Sequence, residues 1–221
     1  MATALSQTAA ASPLAVADQR VAGILTAVRR AFAEKGFDGA SMQDLARTAG
    51  MSVGNFYRYF PSKAAIVEAL IAGDLAEMEQ DFGTILTAPR PMEALRAKIR
   101  TRVTLEECAA DGQIWAEITA AALRKPEIGA AAQRMETEIV AHLTSIFARV
   151  TGVAPGVAME RHGTRARLIV MLVKACSMQP MDRDAQQLHL TEMVLRIIDD
   201  TLDAVAADAP PAPALPAGKS A

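Results

Sequence analysis

Ser41-Met-Gln-Asp-Leu-Ala-Arg-Thr-Ala-Gly50-Met-Ser-Val-Gly-Asn-Phe-Tyr-Arg-Tyr-Phe60-Pro-Ser-Lys63 reads as two short helices around a glycine. Ser41 stands three residues before Asp44, the spacing of a capping box, and the acid also suits the positive end of a helix. Met42, Leu45, Ala46 and Ala49 fall at i, i+3, i+4 and i+7, one apolar stripe. Gly50 supplies the positive φ that turns the chain away. Ser52 caps a second helix, in which Val53, Phe56, Tyr57 and Phe60 fall within about 100° of one another and are expected inside. Gly54, Asn55, Arg58 and Tyr59 then point outward. Pro61 stops this helix and Ser62 caps the next, so Lys63 lies in a first turn among free backbone N–H groups.

Two helices joined in this way form a helix-turn-helix, which makes double-stranded DNA the first partner to consider. A face that only had to be soluble would carry Glu, Lys and Gln rather than Gly, Asn, Arg and Tyr. Gly54 lets a backbone come near, Asn55 both gives and takes hydrogen bonds at a base edge, and the phenols of Tyr57 and Tyr59 donate to phosphates. Tyr57 sits at the edge of the apolar arc, ring inside and hydroxyl outside. The alternative is that the aromatic residues are only the core of a small helical unit and Lys63 a solvated charge. For Phe56 and Phe60 the core reading is preferred.

The run Ala31-Phe-Ala-Glu-Lys-Gly36-Phe-Asp-Gly-Ala40 and its continuation to Lys63 resembles the N-terminal domain of TetR/AcrR-type transcriptional repressors. The resemblance covers about residues 20–70. It rests on the end of the first helix, the Ala-Gly-Met-Ser turn, the Phe-Tyr-x-Tyr-Phe run and the Ser-Lys pair, all in register. It implies an all-α fold of about nine helices: a three-helix DNA-binding head on a larger helical ligand-binding and dimerisation body. It further implies Ser41, Met42 and Gln43 at the groove edge, Val53, Gly54 and Asn55 at bases, and Tyr57, Tyr59 and Lys63 on phosphates, with Arg58 on the same outward face. Tyr59 departs from the pattern, since many members carry His there.

The charge distribution agrees with contact at one end. The chain has 221 residues, 51% of them hydrophobic, and a net charge of −2. Residues 1–63 hold seven basic side chains (Arg20, Arg29, Arg30, Lys35, Arg47, Arg58, Lys63) and four acidic ones (Asp18, Glu34, Asp38, Asp44), so the head is basic and the remainder acidic. Cys108 and Cys176 have no metal-like spacing and read as buried thiols rather than a redox pair. No metal cluster, Gly-rich phosphate loop or catalytic signature is evident, so neither a cofactor nor an enzyme is expected. The longest apolar run, Leu168 to Val173, is too short to cross a bilayer, and a soluble cytoplasmic protein is expected.

Helical punctuation divides the rest. Residues 1–16 read as a disordered tail, and the DNA-binding domain spans 17–63. Its first helix runs from about Asp18 to Lys35, and a fourth helix over 63–84 links it to a ligand-binding and dimerisation domain over 85–206. Within that domain the expected helices are about 92–110, 113–125 (after Gly112), 126–150, 158–178 and 183–206, followed by a Pro/Ala-rich disordered tail over 207–221.

The eighth helix is apolar around its circumference from Leu168 to Cys176 except at Lys174. The ninth carries Leu190, Met193, Val194, Ile197, Ile198, Leu202 and Val205. Together they suggest a homodimer through helices eight and nine, the alternative being an ordinary intramolecular core. Candidates to line an effector pocket are Ile114, Trp115, Ile118, Met135, Ile139, Met171 and His142, with Glu117, Glu138 or Lys174 as polar anchors; a plain helical core is the alternative. The function that unites these readings is a ligand-responsive homodimeric repressor of a palindromic operator, released by a small-molecule effector. The alternative is an all-helical ligand-binding or interaction protein without DNA activity.

Overall fold

The computed structural model describes residues 13–104, 107–179 and 184–209. Among these residues there are nine α-helices and no strand: α1 Pro13–Lys35, α2 Met42–Thr48, α3 Val53–Tyr59, α4 Lys63–Thr87, α5 Pro91–Thr104, α6 Glu107–Ala122, α7 Pro126–Thr151, α8 Pro155–Ser177 and α9 Ala185–Ala206. The protein is all-α, with an N-terminal helix-turn-helix followed by a helical body.

Helix starts follow local chemistry. The side chains of Ser41, Ser52, Ser62 and Asp184 accept hydrogen bonds from the backbone N–H groups of Asp44, Asn55, Ala65 and Gln187. Pro126 and Pro155 open α7 and α8, where a missing N–H costs nothing.

Several expectations change, among them the end of α4, at Thr87 rather than 84, and the start of α8, at Pro155 rather than 158. Residues 13–16, expected in the tail, belong to α1, because Pro13 serves as a first-turn residue and Leu-Ala-Val-Ala contains no breaker. Residues 1–12 and 210–221, where the two tails were expected, lie outside the described residues. The fifth helix ends at Thr104 rather than 110 and the sixth begins at Glu107 rather than 113. Gly112 therefore lies inside α6. It is a packing glycine: a Cβ there would come within 1.8 Å of the Ser177 carbonyl oxygen at the end of α8.

Two apolar clusters organise the molecule. The first joins α1, α2, α3 and the first half of α4 to Ile114, Ile118 and Ala121 of α6 and Ile128 and Ala131 of α7. Its largest fully buried side chains include Phe32, Phe37 and Phe56, each worth about 1.5–3 kcal/mol of transfer free energy. The second joins the end of α4 to α5, the C-terminal half of α7, α8 and α9. Ion pairs tie the layers: Arg29 of α1 to Asp74 of α4, and Arg96 of α5 to Asp199 and Asp203 of α9 at 2.9 and 2.5 Å. No described helix is long and apolar enough to cross a membrane. Cys176 is half-buried against the second cluster, and the side chain of Cys108 lies outside those described.

Candidate nucleic-acid interface and internal cavity

Capping fixes the two short helices before any packing is counted. The Asp44 backbone N–H donates to Ser41 Oγ at 3.1 Å, and the Ser41 backbone N–H donates back to Asp44 Oδ2 at 3.0 Å, closing the capping box. Asp44 also pairs with Lys35 at 2.7 Å and with Arg47. The Lys35 ammonium first, then the Ser41 donors, hold its carboxyl well below the usual carboxylate range. Gly50 adopts φ 66°, the left-handed conformation the turn requires, and Met51 N–H then reaches back to the Ala46 carbonyl. Leu45, Ala46 and Phe56 are buried, and the Phe56 ring packs 5.7 Å from that of Phe60.

The outward face is Ser41, Gln43, Val53, Gly54, Tyr57, Arg58 and Tyr59, all exposed, with Met42 and Asn55 half-buried. Val53 departs from its expected inward position: it is 37% exposed. In a seven-residue helix only Phe56 is buried, and the first turn projects past the Phe56–Phe60 contact. Tyr57 is 47% exposed, further out than a ring at the edge of the core. At Gly54 a Cβ would meet nothing within 4 Å, so the fold itself has no use for a glycine there.

Lys63 does not extend into solvent as a free ammonium. Its Nζ donates to the carbonyls of Phe37 and Asp38 at 2.8 and 3.1 Å and lies 5.3 Å from the centre of the Phe37 ring. Burial, reinforced by Lys125, lowers its pKa. The start of α4 faces the loop after α1, whose carbonyls no helix satisfies, and the lysine satisfies them instead.

That loop is also gripped from the body. Glu117 of α6 accepts the Phe37 backbone N–H at 2.8 Å. Asp38 takes Arg124 at 2.7 Å and Lys125 at 2.9 Å, and Lys125 then Arg124 draw its pKa down. Lys125 Nζ also stands 4.8 Å over the Phe37 ring. Glu117, expected at a pocket, is thus a junction residue. The sequence carries no local signal for this, because its partner lies 80 positions away.

A cavity of about 200 Å³ opens between α4, α5, α6, α7 and α8. Of the expected lining residues it contains Trp115, Ile118, Met135, Ile139 and Lys174. Ile114 is buried in the first cluster instead, and Met171 is 59% exposed. Glu138 lies on the outer side of α7 beside Arg134, and His142 stacks on Phe82 at 5.0 Å without lining the cavity. The sequence reading stopped at the middle helices, whereas α4 and α5 supply Phe82, Leu95, Lys98 and Arg102. Met171 of α8 and Leu190, Met193 and Ile197 of α9 are exposed apolar side chains and do not line the cavity.

The sequence model of the family described as bacterial regulatory proteins, tetR family, matches residues 24–70. The HTH-type transcriptional regulator UidR of Escherichia coli K12 is 29% identical over 108 residues; the match covers 48% of this chain and 54% of UidR, so the chain spans about half the length of that relative. The structure resembles Salmonella enterica GusR with a TM-score of 0.68 and 23% identity, over 89% of this chain and 98% of GusR. It also resembles AibR, solved in complex with isovaleryl coenzyme A and operator DNA, with a TM-score of 0.59 and 18% identity over 81% and 97% of the two chains. At these identities the structural likenesses establish the fold.

Proposed function

We propose that this chain, which belongs to the TetR family of bacterial regulatory proteins, is a soluble cytoplasmic repressor, acting as a homodimer on a palindromic operator and released by a small-molecule effector. The observation that carries the reading is the outward face of α3: an exposed Gly54 with open space around it, next to Asn55, on a helix fixed by its own cap. In this reading Ser41, Met42 and Gln43 lie along the groove edge and Val53, Gly54 and Asn55 face bases. Tyr57, Arg58 and Tyr59 contact phosphates. Lys63 acts mainly by holding the loop after α1, and contributes less to phosphate binding than its position at a helix start suggests.

A seven-residue α3 reads only a few base pairs. Two copies related by a twofold axis read half-sites about one helical turn, roughly 34–36 Å, apart. The exposed apolar residues of α8 and α9 supply the surface for that pairing. The cavity supports an effector role, as does the likeness to AibR, a protein solved with both an acyl coenzyme A and DNA. Such an effector acts through unequal affinity for the DNA-bound and released arrangements of the two heads.

The test is to map the genomic DNA protected by the full-length protein and repeat the titration with Asn55→Ala. The variant should lose about 1–3 kcal/mol of discrimination at particular bases. A uniform loss across all sequences would remove Asn55 from base reading.

A further inference from the structure

We propose that the internal cavity takes a small amphiphile with a single anionic head: an apolar chain of short to medium length ending in a carboxylate or an equivalent anion. This rests on the ligand-responsive reading above and adds the chemistry of the ligand.

The lining is polar at one end only. Ile85 of α4, Leu95 of α5, Leu143 of α7 and Ile169 of α8 all belong to the second apolar cluster and close one end. Each helix adds its charge about one turn or more along: Asp81, Lys98 and Arg102, Glu136, and Lys174. A 2.6 Å ion pair between Lys98 and Asp81 joins two of these groups across α4 and α5. A ligand that fills the cavity therefore has one apolar end and one charged end.

The sign of the head follows from the charges. Lys98, Arg102 and Lys174 line the cavity together with Asp81 and Glu136. Asp81 is already matched by Lys98, whereas Lys174 makes no ion pair among the described residues. Lys174 is also half-buried, where a cation without a counter-charge gains most from an anion. A cationic head would meet the Lys174 ammonium as repulsion. A sugar would lose water from its hydroxyls against Ile85, Leu95, Leu143 and Ile169, none of which returns a hydrogen bond. Size adds a limit: about 200 Å³ is below the roughly 300–1,000 Å³ of pockets for drug-sized ligands.

Trp115 lines the cavity and is the sole tryptophan, so its emission reports occupancy without DNA. The full chain is titrated with octanoate, 1-octanol, octylamine and octanoyl coenzyme A. Octanoate should give a saturable change in Trp115 emission, with 1-octanol at least about tenfold weaker and octylamine weaker still. Lys174→Met should weaken octanoate about tenfold and leave 1-octanol unchanged, and Lys174→Arg should restore octanoate. Octanoyl coenzyme A, whose acyl end finishes in an uncharged thioester and whose nucleotide exceeds a cavity of about 200 Å³, should bind more weakly than octanoate, and tighter binding overturns the proposal. Equal affinity for octanoate and 1-octanol, silence from all four probes, or no effect of Lys174→Met overturns the proposal. Operator release is measured separately. Octanoate binding without release would sink the ligand-responsive reading and spare the pocket chemistry, whereas release by octylamine alone would do the reverse.

Discussion

In the head, Ser41, Ser52 and Ser62 each cap a helix from three residues away, and Phe56 finds Phe60 four residues on. In the body, Arg96 reaches across to Asp199 and Lys98 back to Asp81, and Ile85 meets Leu95, Leu143 and Ile169 around a space it does not fill. The head thus takes its helix caps and its turn from contacts within one or two turns, and α6 and α7 complete its core. The body is specified by contacts between distant segments and leaves both a cavity and an exposed apolar surface. Reading DNA requires fixed side chains, and admitting an effector requires room. The two regions differ in the way the proposed tasks demand.

The largest effect should come from the unfilled surface of the body. Ile197 is 46% exposed on α9, and Ile197→Asp should give monomers in analytical sedimentation. Operator affinity should then fall at least about a thousandfold, toward non-specific binding, because only one head engages. A stable dimer of this variant would move the interface off α9. In the head the sensitive position is buried instead. Phe56→Ala removes a fully buried ring and should cost about 3–5 kcal/mol in denaturant unfolding. A cost under 1 kcal/mol would mean that the head is looser than its packing implies.

A smaller effect is expected where the two regions meet. Glu117→Ala deletes the acceptor of the Phe37 N–H at the half-exposed junction and should cost about 1.5 kcal/mol or less. Glu138→Ala, on the outer side of α7, should stay within about 0.5 kcal/mol. Equal effects would show that the clamp on the loop after α1 does not join head to body.

The same contrast governs how much of the molecule was legible beforehand. The capping box, the Gly50 turn and the buried Phe56–Phe60 pair follow from spacings of three and four residues, and the structure has them. Val53 was misplaced because periodicity gives a direction but not where a short helix outruns its core. Gly112 looked like a helix break, since nothing nearby indicates that Ser177 approaches it. Glu117 and Glu138 were equally plausible pocket anchors in the sequence. Their different fates depend on a loop 80 residues upstream and on which side of α7 faces inward. The apolar stripe of α9 could be read, but its division into buried Ile198, Leu202 and Val205 and exposed Leu190, Met193 and Ile197 depends on what packs against it, and buried Leu195 was missed because it lies outside the stripe.

Acid should separate the two regions most finely, through groups shifted for opposite reasons. His162 of α8 is fully buried against the edge of Phe147. The Arg165 guanidinium donates to its Nδ1 at 3.2 Å, which leaves the proton on Nε2, 3.6 Å from Asp208 and without a hydrogen bond. Burial lowers its pKa, Asp208 opposes that, and Arg165 and Arg161 add to it. As pH falls through about 6.5, the unfolded chain gains a proton that the folded chain does not, so stability declines. Asp44 works the other way: its depressed carboxyl stabilises the head above about pH 4, and that contribution fades only as pH drops further. Denaturant unfolding followed from pH 7.5 to 3 should therefore show two declines. His162→Leu should flatten the first and leave the second, and Asp44→Asn should reduce the second, leaving the part that Asp38 contributes, and leave the first. If His162→Leu kept the decline between pH 7 and 5, the buried imidazole would not be its source.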